Sequence, residues 1–154
     1  MLLYSLSEAS DQIFSYSRIK NWGIQMKTVV AVDYDLMSLD IVEELLGENG
    51  YQVISFSEAG KAIEYVQTAD NPIDLFLIDI RMKDLAGIEM LKYLKYSDTR
   101  HNNSPVITTS SLTPKEFKDK ALNLGATAYI AKPFSEGDLM QKIQNATKNL
   151  KGTS

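Results

Sequence analysis

Residues 73–79 read IDLFLID, an apolar run interrupted only by Asp74 and closed by Asp79. An apolar run without alternation fits a strand buried on both faces, as in a parallel sheet covered by helices. The flanks agree with that reading. Asp70-Asn71-Pro72 breaks the chain before the run, and Ile88, Leu91 and Leu94 recur at helical spacing after it. Three further runs are built alike. VVAVD (29–33) ends at Asp33, PVITTS (105–110) at Ser110, and TAYIAKP (127–133) at Lys132 and Pro133. If the four runs are parallel strands, their C-terminal ends share one edge, where open α/β sheets place their ligand sites. Two carboxylates, a hydroxyl and an ammonium would then meet in one shallow pocket. Tyr34 follows Asp33, at the position where a second acid would serve such a pocket best.

Working outward, strand and helix patterns alternate from Met26 onward. Residues 27–32 are apolar and β-branched. Leu36, Leu39, Val42, Leu45 and Leu46 recur at helical spacing as an inward face, and Asn49-Gly50 stops that helix. A second strand is expected over 51–56. A helix follows from 57 to about 68, with Ala62, Ile63, Tyr65 and Val66 inward. After the central strand come a helix over 87–96, a polar loop over 98–104 and a strand over 106–109. Thr113-Pro114-Lys115-Glu116 pairs a capping threonine with a proline in the first turn and a glutamate at the third position. That helix ends at Leu124-Gly125. A fifth strand covers 127–131, and Ser135 caps a last helix reaching about residue 150. Five strand–helix units imply an α/β fold, a doubly wound parallel sheet with right-handed crossovers.

The 154 residues suffice for one domain with a sizeable core. A net charge of -4 argues against a broad basic face for nucleic acid. With no cysteine, disulfides and thiolate metal sites are excluded. No run approaches the roughly 18 apolar residues of a membrane span. The start lacks the basic residues and cleavage site of a signal peptide, so a cytoplasmic location is expected. His101 stands alone in the polar loop and reads as a solvated surface histidine. Residues 1–25 differ from the rest, being rich in serine and aromatics. Leu6, Ala9, Ile13 and Tyr16 share one helical face there. This extension is either a flexible leader or a helix that docks Phe14 and Trp22 on the domain or on a second copy. The expected organisation is an extension over 1–25, a domain over 26–150 and a tail over 151–154.

Several stretches carry a family resemblance. GYQVISFSEAGKAIEYV (50–66), DLFLIDIRM (74–82), GIEMLKYL (87–94) and GATAYIAKPF (125–134) resemble the receiver domain of two-component response regulators. Asp33, Asp79, a hydroxyl after the fourth strand and Lys132-Pro133 fall in that family's order. The resemblance implies a CheY-like, flavodoxin-like sheet of five parallel strands in the order 2-1-3-4-5. It implies that Asp79 is the phosphoacceptor, a carboxylate that becomes an acyl phosphate. Lys132 would neutralise phosphoryl oxygens as a point charge, and the bond to Pro133 would be cis. Ser110 matches the hydroxyl that donates to the phosphoryl group. It lies five residues after Pro105, and for that reason is preferred to its neighbours Thr109 and Ser111. Tyr129 matches the switch aromatic, while Phe134 suits core or interface. Leu112, two residues past Ser110, would give apolar cover against an attacking water.

The resemblance also implies Mg²⁺, held by Asp33, Asp79 and the Arg81 backbone carbonyl. This chain departs from the family there: with the EELL (43–46) register kept, Tyr34 replaces the directly ligating second acid. Asp35 through a shifted loop, or Asp33 through a direct contact, would have to compensate, and a weakened Mg²⁺ site is expected. Lys83 in place of a common proline and Ala86-Gly87 in place of Asp-Gly are milder changes.

The function implied is a phosphoacceptor signalling switch, loaded by a histidine kinase or phosphotransfer protein and acting through protein contacts. The expected output face joins the fourth helix, fifth strand and fifth helix, including Lys115, Lys118, Tyr129 and Phe134. A second copy of the chain is a further candidate partner. Neither nucleic acid nor membrane is an expected direct partner. Turnover of an external substrate is not expected, so the chain is not read as an enzyme. The alternative is a pseudo-receiver that binds proteins without phosphorylation, a reading that Tyr34 favours. More remote is a haloacid-dehalogenase-like phosphohydrolase, because VVAVDYDLM (29–37) offers Asp33 as nucleophile and Asp35 as general acid. That reading lacks a later acidic motif and a cap domain, and it leaves Asp79 without a role.

Overall fold

The computed structural model describes residues 26–97, 100–111 and 115–151. The 1–25 extension, Leu112, the capping pair Thr113-Pro114 and residues 152–154 lie outside them. The chain runs β1 (Thr28–Val32), α1 (Leu36–Glu48), β2 (Gln52–Phe56), α2 (Ala59–Thr68) and β3 (Leu75–Asp79). It continues as α3 (Ala86–Lys92), β4 (Val106–Ser110), α4 (Lys115–Asn123), β5 (Ala128–Ala131) and α5 (Glu136–Lys151). A single 3₁₀ turn, Lys83–Leu85, leads into α3, and a wider π turn, Tyr93–Ser97, leads out of it. The sheet has the order β2-β1-β3-β4-β5, and every pair is parallel. Fold class and strand order are those expected.

β1, β3 and β4 are buried along their whole length, whereas the edge strand β2 is half-buried throughout. Successive side chains of a strand point to opposite faces, and the core divides accordingly. Val30, Val32, Phe76 and Ile78 pack towards α2 and α3. Val29, Ala31, Leu75, Leu77 and Ile107 pack against Leu39, Val42 and Leu46 of α1 and Leu139 and Ile143 of α5. Each fully buried aliphatic side chain contributes about 1.5–3 kcal/mol, so both faces hold the sheet rigid beneath its C-terminal edge.

Two expectations about burial are corrected. Leu36 is 65% exposed and does not join the inward face of α1. It is the first helical residue after the cap at Asp35, and the buried face of α1 begins one turn later, at Leu39. His101 is buried, and its ring meets Phe76 edge-on, with centroids 6.0 Å apart and planes at 85°. The polar loop is tied down onto the domain. Ser104 Oγ donates to the Ile73 carbonyl at 3.0 Å, and Lys95 Nζ donates to the carbonyls of Asn102 and Ser104. Burial pushes the Lys95 ammonium below its ordinary pKa.

Candidate functional site

The edge is built by backbone register. Val32 pairs with Ile78, Asp79 with Thr109 and Ser110 with Ala131. The ladder runs slightly past the strands, since Asp33 N donates to Phe56 O, Ile80 N to Thr109 O and Lys132 N to Ser110 O. Asp33, Asp79 and Lys132 thus stand side by side at the ends of β1, β3 and β5. By alternation they share the face of Ala31, Leu77 and Ile130, beneath α1 and α5.

Both carboxylates are buried, at 6% exposure for Asp33 and 4% for Asp79. Their partners match. Asp33 Oδ1 accepts from the Asp35 amide at 2.9 Å, and Asp79 Oδ1 from the Arg81 amide at 2.8 Å. The second oxygen of each meets Lys132. Nζ forms a tight ion pair with Asp33 Oδ2 and lies 3.4 Å from Asp79 Oδ2. Burial alone would lower the Lys132 pKa; the hydrogen bond to Asp33 and the two negative charges outweigh it and raise it. Burial pushes the Asp33 carboxyl up, against the pull of Lys132 and the Asp35 amide. The Lys132–Pro133 peptide bond is cis.

Behind Asp79 the chain leaves no slack. A Cβ on Gly87 would fall 2.1 Å from the Asp79 carbonyl oxygen and 2.7 Å from Ile80 Cα, so α3 docks directly on the Asp79 backbone. Asp84 and Leu85 both hold φ near 58° in the turn before α3. L-residues other than glycine adopt that left-handed region at a cost of about 1–2 kcal/mol each. Sequence reading treated Ala86-Gly87 as a mild change and missed this contact. Its only signal was a glycine in the first turn of a helix that follows the central strand.

The hydroxyls separate by face. Thr109, the Cα partner of Asp79, lies on the Asp79 face. Ser110 is fully buried and falls on the other face with Tyr129, whose ring packs towards α4. Lys118 Nζ of α4 sits 5.8 Å from the Tyr129 ring centroid, and the Arg81 guanidinium 5.6 Å from that of Phe117. Both distances suit cation–π attraction. Arg81, two residues beyond Asp79, and the aromatic Tyr129 therefore both touch α4.

Asp35 is engaged differently from Asp33 and Asp79 and makes no bond to Lys132. It caps α1, its oxygens accepting from Met37 N at 3.0 Å and Ser38 Oγ at 3.1 Å. Tyr34 is 62% exposed. Among the described residues, no group of three or more His, Cys, Asp or Glu side chains is arranged to hold a metal. Asp33 and Asp79 remain as a pair. Mg²⁺ is commonly held by one or two carboxylates with water and phosphate oxygens, so the pair fits a weak Mg²⁺ site but not a protein cage.

Comparison with known proteins agrees with this geometry. Residues 29–144 match the family model of the response regulator receiver domain. The chain is 27% identical over 130 residues to the transcriptional regulatory protein PdtaR of Mycobacterium tuberculosis, covering 84% of this chain and 60% of that protein. It is 30% identical over 119 residues to the transcriptional regulatory protein CpxR of Escherichia coli, covering 77% and 48%. It thus spans about half to three-fifths of such relatives. A CheY-like receiver domain protein from Methanospirillum hungatei superposes with a TM-score of 0.75 at 27% identity, over 84% of this chain and 100% of that one. The chemotaxis response regulator CheY4 of Vibrio cholerae gives 0.71 at 25% identity, over 79% and 99%. No helix among the described residues is long and apolar enough to cross a membrane. With the family model matching residues 29–144 and the fold shared with CheY-like structures, the chain belongs to the response regulator receiver domain family.

Proposed function

We propose that this chain is a phosphoacceptor switch, phosphorylated on Asp79 by a histidine kinase or phosphotransfer protein and signalling through protein contacts. The observation that carries the reading is the suspension of Asp79 between the Arg81 amide and the Lys132 ammonium, with Gly87 packed against its carbonyl. A carboxylate oxygen of Asp79 forms a bond to phosphorus as the donor's P–N bond, or the P–O bond of a small acyl phosphate, breaks. Lys132 offsets the charge on the phosphoryl oxygens. Asp33 and Asp79, with the Arg81 carbonyl, would hold Mg²⁺, which supplies charge neutralisation and alignment when bound. Asp35 is not assigned to the metal, because its carboxylate is engaged by the α1 cap. That cap also argues against Asp35 as the general acid of a phosphohydrolase.

Ser110 lies on the Tyr129 face and Thr109 on the Asp79 face, so Ser110 would report the phosphoryl group to Tyr129 only by turning its hydroxyl over the end of β4 towards Asp79. The output surface is then α4, β5 and α5. A phosphoryl group shifts a two-state equilibrium only as far as it interacts differently with the two states. Tyr34 supports a second reading, a pseudo-receiver that binds partners without phosphate, because an acidic ligand is missing where charge neutralisation is needed.

An intact-mass time course with a small acyl phosphate, with and without chelator, separates the two. Slow addition of one phosphate, dependent on Mg²⁺ and lost in Asp79→Asn, is the expected outcome. No addition over hours at high Mg²⁺, in protein shown to be folded, would transfer the chain to the pseudo-receivers.

A further inference from the structure

A cavity of about 370 Å³ runs from Asp33 and Lys132 into the space between α1 and the segment that follows β5. Buried Ala31, Leu77 and Thr109 form its floor. Leu39, Val42 and the half-exposed Ile41 of α1 make one wall, and Pro133 and Phe134 the other. The space exists because the side chains that would fill it are short: Ala31 and Thr109 on the strands, Ser38 on α1 and Ser111 after β4. An apolar cavity of about 150 Å³ already takes benzene, so this one has room for a larger ring-bearing molecule. An apolar pocket with a few polar groups at one end, at the C-terminal edge of an α/β sheet, has the general form of a small-molecule site.

The polar end decides the class of molecule. Among the described residues, Asp33 and Asp35 line it together with a single cation, Lys132, and that cation is already shared between Asp33 and Asp79. Carboxylates therefore outnumber ammonium groups, and an anion would be repelled. Asp33 spends Oδ1 on the Asp35 amide and Oδ2 on Lys132. A carboxylate offers about four acceptor positions, so Asp33 retains capacity for an incoming N–H donor. Asp35 and Ser111 are exposed at the mouth, which lets a cationic head stay partly solvated while its apolar body enters.

We propose that this cavity binds a compact apolar molecule carrying one ammonium or amidinium group, its body over Ala31 and Leu77 and its cation at Asp33. The proposal does not depend on phosphorylation. It does predict that such a molecule, by engaging Asp33, alters the hold on Lys132 and so modulates any chemistry at Asp79.

The test titrates the full chain, without phosphodonor or metal, with 2-phenylethylamine, 2-phenylethanol and 3-phenylpropionate. Binding is followed by protein-observed NMR, and folding of each variant by thermal unfolding. Saturable binding of the amine is expected, at least tenfold tighter than that of the alcohol, with no binding of the carboxylate. Ser38→Leu and Ser111→Leu fill the cavity from opposite sides and should each weaken the amine at least tenfold. Asp33→Asn should weaken the amine but not the alcohol. No saturation within the amine's solubility, or binding that survives both leucine substitutions in folded protein, would remove the site. Equal binding of amine and carboxylate, or an amine indifferent to Asp33→Asn, would overturn the assigned class.

Discussion

At the residue scale the proposed Mg²⁺ site turns on Tyr34. The residue is exposed and brings no carboxylate, while Asp35 next to it is spent on the α1 cap. Tyr34→Asp should tighten Mg²⁺ about tenfold, or ~1.4 kcal/mol, in a calorimetric titration. An unchanged or weaker affinity would mean that another group already serves. Gly87 is constrained by packing rather than by charge. Gly87→Ala forces a Cβ into the Asp79 carbonyl, and overpacking of this kind typically costs about 1–3 kcal/mol. Urea unfolding should place the loss near the upper end, because the obstructing atoms are backbone. The meeting of Asp79 and Lys132 at one sheet edge was legible because each closes an apolar run, and parallel strands bring such ends together. His101 and Leu36 were misread for the opposite reason. Their burial depends on how a loop folds back and where the buried face of α1 begins, and neither leaves a periodic mark in the sequence.

At the scale of elements, the alternating runs were enough to give five strands and five helices, because strands buried on both faces and helices with one apolar stripe have different periods. What escaped was how the ends are held. Arg100 lies in a polar loop, yet its guanidinium donates to the Ala69 and Gln67 carbonyls, each at 3.0 Å, and also to Val66 O, at the C-terminal end of α2. A cation there satisfies orphan carbonyls and complements the helix dipole. Arg100→Gln should lower stability by about 1 kcal/mol and loosen amide exchange in the last turn of α2 more than in α5. Uniform loosening across both helices would argue against a local cap. The π turn at Tyr93–Ser97 was likewise invisible, since a single wider turn leaves the apolar spacing of Ile88, Leu91 and Leu94 intact.

For the molecule as a whole, the sheet fixes three titratable groups at one edge, and their coupling sets a dependence on pH. Lys132 has its pKa raised in the folded state, with burial opposed and outweighed by Asp33 and Asp79. A group raised in this way gives its full stabilisation below its unfolded value, about 10.4 for lysine, and loses it as pH rises through the higher folded value. The stability difference between the native chain and Lys132→Met should therefore stay level through neutral pH and shrink only in the strongly alkaline range. A difference already shrinking between pH 6 and 8 would contradict the pairing. The central claim is that this edge carries acceptor chemistry on β3. It is tested most directly by treating the chain with a small acyl phosphate and Mg²⁺, trapping the acyl phosphate by reduction, and mapping the modified residue by peptide mass spectrometry. The account predicts modification at Asp79 alone, absent from Asp79→Asn. Modification at Asp33, or none in folded protein at saturating Mg²⁺, would contradict it.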